Sequence, residues 1–187
     1  MLDLIYISIF KLFGWKLIGK IPSTLKKSII IVAPHAEWVD FPVGLFARAS
    51  LKTKVSFLGK AELFKGLFGF LFRWLGGKPV DRFSNNGMVD SVVSLFNSNE
   101  SLHIALAPEG TRKAVSRLRT GFYYIAMEAN VPIIMVVLDY PNRRIMVREP
   151  FYLSGNMDED LRGIAHYYNQ FSGDKKDWIR NYLLEEA

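Results

Sequence analysis

The sequence predicts an α/β fold in a single domain: a mixed, mostly parallel β-sheet flanked by helices, with an amphipathic helix at the N-terminus. Three observations lead there. Short, largely apolar runs recur at 28–33, 54–59, 102–107 and 131–140, the first and last rich in Ile and Val, and between them lie longer stretches whose apolar positions follow helical spacing. Strand and helix patterns thus alternate, the order that produces parallel strands joined by helical crossovers. At 187 residues, half of them apolar, the chain can bury one full core, and no repeat, low-complexity tract or linker divides it.

Residues 2–18 look at first like a secretory signal, but they lack a basic start and a small-residue cleavage site. Lys11 and Lys16 also interrupt the run of about 20 apolar residues that a membrane span needs. Two readings fit. Residues 1–20 form a helix lying in a lipid interface, with Trp15 and the lysines at headgroup depth, or the helix packs on the core.

Ser28-Ile29-Ile30-Ile31-Val32-Ala33 reads as a buried strand that stops at Pro34-His35-Ala36-Glu37-Trp38-Val39-Asp40. Phe41-Pro42 then opens a helix reaching residue 49, since proline suits the first helical turn. After the strand at 54–59, residues 61–75 read as one helix. Leu63, Leu67, Phe70, Leu71 and Trp74 point at the core, and Phe64, Phe68 and Phe72 form a second apolar stripe. That stripe meets a membrane or an acyl chain, or the helix is buried on both sides. Gly76-Gly77-Lys78-Pro79-Val80-Asp81-Arg82 is a short extended segment whose glycines either cradle an anion or cap the helix.

Residues 85–98 form an amphipathic helix, and the strand at 102–107 ends at Pro108-Glu109-Gly110-Thr111-Arg112. His103, inside that strand, reads as structural. A helix at 120–130, a strand at 131–140 and a hairpin partner at 144–151 follow. The acidic stretch 157–187 is helical, with Ile164, Tyr167, Tyr168, Phe171, Trp178, Ile179 and Leu183 as docking residues and no chemistry evident.

Composition excludes several function classes. There is no cysteine, so thiol nucleophiles, thiolate metal sites and disulfides are all absent, as suits a reducing compartment. The only histidines are His35, His103 and His166, too few for a histidine-rich metal centre. No Gly-x-Ser-x-Gly elbow occurs. The net charge of +6 is uneven: residues 1–82 carry 13 Lys and Arg against 5 Asp and Glu, and residues 83–187 carry 11 against 13. A basic, aromatic-rich half suggests an anionic partner. No nucleic-acid-binding signature appears, and the Phe and Leu beside these lysines point to lipid instead.

The polar residues that interrupt apolar runs are the candidates for chemistry. His35 and Asp40 stand five apart, which on one helix would separate them by about 140°. A strand end, a turn and a helix start can bring them together. Asp40 would then fix the tautomer of His35 while His35 takes a proton from a hydroxyl; alternatively Asp40 is an N-cap and His35 an ordinary loop residue. The 108–112 pentad lies at the same sheet edge, where ligands bind in open α/β sheets. Arg112, Lys113, Arg117 and Arg119 either recognise a phosphate or form a solvated basic loop.

Four ordered blocks carry a resemblance: His35-Ala-Glu-Trp-Val-Asp40, Gly77-Lys-Pro-Val-Asp-Arg82, Pro108-Glu-Gly-Thr-Arg112 and Val131-Pro-Ile-Ile134. Together they resemble the glycerolipid acyltransferase family, whose best-known activity is that of 1-acylglycerol-3-phosphate acyltransferase, over most of residues 28–140. Residues 118–126 also resemble a segment of its small bacterial members.

The resemblance implies transfer of a fatty acyl group from acyl-CoA or acyl-ACP to a lysophospholipid hydroxyl, with no metal or resident cofactor. It makes His35 the general base, Asp40 its orienting partner, Arg82 and Arg112 the holders of the acceptor phosphate, and Glu109, Gly110 and Thr111 the residues shaping that pocket. Length and pattern together give one domain over 1–187, with an interfacial helix at 1–20, a catalytic core at 28–151 and a helical segment at 156–187. The chain would sit peripherally or monotopically on the cytoplasmic face of a membrane and bind no nucleic acid. Pro34, Ala107, Lys113 and Met135 depart from the family's common residues, and two of them flank the expected headgroup pocket. A thioester hydrolase and a non-catalytic lipid-binding adaptor are the other readings.

Overall fold

The molecule, seen in a computed structural model, is described at residues 2–34, 40–51, 53–66, 69–80, 87–111, 113–172 and 176–184. Seven strands, β1 (Lys16–Ile18), β2 (Lys27–Ala33), β3 (Val55–Lys60), β4 (Gly77–Val80), β5 (Leu102–Leu106), β6 (Ile133–Asp139) and β7 (Arg144–Val147), form one sheet in the order β1-β7-β6-β2-β5-β3-β4. β6 and β7 pair antiparallel as a hairpin, and every other neighbouring pair is parallel. β2 to β6 therefore run in one direction, and their C-terminal ends share one edge of the sheet. Pro79 sits in the edge strand β4, where a missing N–H is tolerated.

Alternation along the two central strands divides the core. Ile29, Ile31 and Ala33 of β2 and Ile133, Met135 and Val137 of β6 join one cluster, with Val92 and Phe96 of α4 (Gly87–Asn97), Phe122 and Ile125 of α5 (Gly121–Glu128), Ile164 and Tyr168 of α6 (Met157–Ser172), and Trp178 of α7 (Asp177–Leu184). Ile30 of β2 and Ile134, Val136 and Leu138 of β6 face the other way, against Phe10 of α1 (Leu2–Leu12) and Ala47 of α2 (Asp40–Leu51). A strand buried on both faces must be apolar at every position, which explains the unbroken run in β6.

Two expected elements take a different shape. The helix expected over 1–20 ends at Leu12; Gly14 adopts φ +74, the chain turns, and the Lys16 N–H donates to the Arg143 carbonyl at 2.9 Å to begin β1. One face of α1 packs on the core through Phe10, while Leu12 and Phe13 beyond it are exposed. The helix expected over 61–75 is broken into a 3-10 turn at Ala61–Phe64 and α3 (Gly69–Trp74). Gly66 takes φ +92 between them, and Gly69 lies so close to Phe64 that a Cβ would stand 2.3 Å from the Phe64 carbonyl oxygen.

The break resets the helical phase and reverses the expected stripes. Phe64 is buried against Gly59 and Gly77, whereas Leu63, Phe70, Leu71 and Trp74, expected in the core, are exposed, Phe70 by 71% and Trp74 by 57%. Leu67 and Phe68 lie outside the described residues.

Candidate functional site

The shared strand edge carries the described residues of the expected site, Asp40, Glu109, Gly110 and Thr111. β2 delivers Pro34 there, and Asp40 follows as the first residue of α2, with a buried side chain. Tyr140, the residue after β6, lies beside it because β6 is hydrogen-bonded to β2; its O–H donates to Asp40 Oδ1 across 100 positions of sequence. Trp15 stands edge-on to the Tyr140 ring at 5.3 Å and stacks on Phe10 at 6.0 Å, so the N-terminal segment backs the phenol. His35, Arg82 and Arg112 lie outside the described residues.

β5, on the other side of β2, leads into the 108–111 turn. Gly110 has φ +66, a conformation L side chains rarely adopt, and a Cβ there would come 2.9 Å from Arg119 Cγ; the glycine of this block is a backbone requirement. The turn is fastened by the Gly110 N–H to the Ala107 carbonyl at 3.0 Å and by the Arg119 N–H to the Pro108 carbonyl at 2.8 Å. Thr111 Oγ1 accepts from the Lys113 N–H at 3.2 Å.

Glu109 is 0% exposed. Trp178 Nε1–H donates to its Oε1 at 3.0 Å, and Lys176 Nζ lies 3.2 Å from Oε1 and 3.4 Å from Oε2. The C-terminal helix α7 thus grips the pentad. Behind it, the Tyr168 O–H donates to the Ile31 carbonyl of β2 at 2.7 Å, and full burial pushes that phenol well above its ordinary range, so it keeps its proton. No chemical role for α6 or α7 is legible in the sequence, and nothing local to Trp178 could signal a carboxylate 69 positions away.

An apolar cavity of about 310 Å³ lies between α2 and the sheet. Ile30 and Val32 of β2, Ala105 of β5 and Val136 and Leu138 of β6 form its floor, and Asp40, Ala47 and Leu51 of α2 line it from above. Because Asp40 and Leu51 both line it, the cavity follows the helix for roughly 16 Å. That is close to half of a hydrocarbon core about 30 Å thick, the depth one fatty acyl chain spans. Ala107, one of the positions departing from the family's pattern, also lines it, so that departure bears on the apolar cavity.

His103 does not join the site. It lies near the start of β5, away from this edge, with the Ser28 hydroxyl 2.8 Å from Nδ1. Burial lowers its pKa, opposed by a hydrogen bond to the backbone of Leu25. Of the four expected cations, Lys113, Arg117 and Arg119 are exposed, and Arg117 lies over the Tyr182 ring at 6.0 Å. Among the described residues no group of three or more His, Asp or Glu could hold a metal ion.

Comparison with known proteins agrees with this architecture. A 1-acyl-sn-glycerol-3-phosphate acyltransferase of Haemophilus influenzae is 26% identical over 178 residues, covering 85% of this chain and 73% of that protein. The crystal structure of the 1-acyl-sn-glycerophosphate (LPA) acyltransferase PlsC from Thermotoga maritima superimposes with a TM-score of 0.58 at 17% identity, over 99% of this chain and 78% of that one, and so shares its fold. The sequence model of the family described as Acyltransferase matches residues 16–139, from β1 to the end of β6, and includes Asp40 and the 108–111 turn. The chain belongs to the acyltransferase family.

Proposed function

We propose that this protein transfers a fatty acyl group from a carrier thioester to the free hydroxyl of a lysophospholipid, 1-acylglycerol-3-phosphate being the best-supported acceptor. One observation carries the reading: the apolar cavity along α2 is lined by Asp40, whose side chain is buried. A long hydrocarbon chain and a proton-transfer pair need that adjacency, and the name of the Haemophilus influenzae relative supports the acceptor class.

The acyl chain lies in the cavity with its thioester carbonyl at the strand edge. The acceptor phosphate is held by Arg82 and Arg112, on a turn shaped by Glu109, Gly110 and Thr111. As the acceptor hydroxyl attacks the carbonyl carbon, His35 takes its proton, and Asp40 orients the imidazole and stabilises its charge. The tetrahedral intermediate collapses, the C–S bond breaks, and the departing sulfur recovers the proton from His35. No covalent acyl-enzyme forms. Donor thioesters of coenzyme A and of acyl carrier protein both suit a chain of net charge +6.

The reaction takes place at the cytoplasmic face of a membrane, where the protein sits peripherally. No helix among the described residues is long and apolar enough to cross a membrane. Exposed Phe70, Leu71 and Trp74 beside exposed Lys65 and Arg73 suit an anionic lipid surface, as do Leu12 and Phe13 beside Lys11 and Lys16.

The test is a panel crossing acyl-CoA and acyl-ACP donors with several lysophospholipids, read by mass spectrometry and by thiol release. Acyl transfer that collapses by roughly a hundred- to ten-thousandfold in His35→Ala, with unchanged melting, is expected. Thiol release independent of any lysolipid would make the protein a hydrolase, and no thiol release at all would leave only a lipid-binding role.

A further inference from the structure

Tyr140 lies outside the four sequence blocks and touches the acid of the proton-transfer pair. Its phenol O–H donates to Asp40 Oδ1, and Asp40 is buried and lines the apolar cavity. The ring is braced: Trp15 meets it edge-on at 5.3 Å, and the backbone turns directly after it, with the Arg143 N–H donating to the Tyr140 carbonyl at 3.1 Å. Tyr140 directly follows β6, whose residues from Ile133 to Leu138 are all buried. A short side chain such as aspartate can pivot about its own two torsions, and the direction of a catalytic carboxylate decides whether the partner imidazole is held for attack.

We propose that Tyr140 is a positioning residue: by donating its hydroxyl proton to one oxygen of Asp40, it fixes the carboxylate plane so that Asp40 meets His35 in a single orientation. This rests on the reading of His35 and Asp40 as the proton-transfer pair. A carboxylate has acceptor capacity on both oxygens, so the phenol and the imidazole do not compete for it. The function of Tyr140 is therefore separate from substrate binding: it acts on the step in which the hydroxyl proton moves and leaves both substrates bound as before.

The experiment compares wild type, Tyr140→Phe, Asp40→Asn, the double variant and His35→Ala in the full-length protein, with initial rates over both substrates and a thermal melt of each. Phenylalanine keeps the ring against Trp15 and removes only the donor. The expected result for Tyr140→Phe is a kcat lower by about ten- to hundredfold, the size of one hydrogen bond to a charged group, with both Michaelis constants within about twofold of wild type. In the Asp40→Asn background the same change should cost nothing further, because the hydroxyl acts through that carboxylate.

A kcat within about twofold of wild type overturns the proposal, as does an equal loss with and without Asp40. Activity retained by His35→Ala and Asp40→Asn refutes the underlying pair instead, whatever Tyr140→Phe does. Should Tyr140→Phe fail to fold, Trp15→Leu removes the brace and keeps the hydroxyl; a lower kcat with unchanged Michaelis constants supports the role, and an unchanged kcat overturns it.

Discussion

Trp178→Phe isolates one hydrogen bond between the C-terminal helix and the 108–111 turn. Phenylalanine preserves most of the aromatic packing, including the edge-on contact with Tyr168 at 5.8 Å, but removes the N–H that reaches Glu109 Oε1 at 3.0 Å. Glu109 is 0% exposed, so water does not replace the donor without opening the turn. Loss of a hydrogen bond to a charged group costs about 1.5–3 kcal/mol, and a chain of this size shifts in Tm by roughly 2–4 °C per kcal/mol. The variant should melt roughly 3–12 °C below wild type. It should also raise the acceptor Michaelis constant more than that of the donor, since the slackened turn carries Gly110 and Thr111 and leads to Arg112. Differential scanning calorimetry and acceptor titrations measure both effects, and a cycle with Glu109→Gln should show a coupling of about 0.5–3 kcal/mol. A melting point within about 1 °C of wild type, together with an unchanged acceptor constant, would show that Trp178 and Glu109 do not act on each other.

Other perturbations address the cavity, the exposed face and the acid response. Ala107→Phe places a ring in the cavity lining and should shift preference toward shorter acyl donors, at about fourfold selectivity per methylene denied burial; an unchanged chain-length profile would separate the cavity from the acyl chain. Changing exposed Phe70 and Trp74 to Ser should lower flotation with anionic liposomes by about tenfold or more without altering the melt, given roughly 1.5–3 kcal/mol per large side chain buried, and equal flotation would exclude α3 from lipid contact. Burial holds the His103 pKa below the ordinary histidine value, so the unfolded chain takes up a proton first, and stability should decline as pH falls through about 6.5 toward the lower folded value. Denaturant titrations at pH 7 and pH 5 should show that decline reduced in His103→Asn, and an identical pH dependence in the two proteins would exclude His103 as its source.

Much of the fold was legible because strand and helix leave local periodicities. The Ile29 to Ala33 run, the alternation hidden in Ile133 to Leu138 and the amphipathic pattern of α4 all translate directly into elements. Residues 61–75 misled because Gly66 and Gly69 break the helical phase, and counting from Leu63 through the break assigns the wrong face. The N-terminal helix was cut short by the same kind of event at Gly14, where the edge of β7 offered the chain hydrogen bonds that a longer helix would have had to forgo.

From residue order alone came the fold class, the family blocks and the sheet edge that carries Asp40, Glu109, Gly110 and Thr111, because each depends on spacing within a few residues. Only the folded chain decided the strand order, the apolar cavity beside Asp40, the grip of Lys176 and Trp178 on Glu109, and the contact of Tyr140 with Asp40. Those contacts join positions 67, 69 and 100 residues apart. A side chain's partner at such a separation is set by which strands pair and where each ends, and no local pattern of polar and apolar residues encodes that choice.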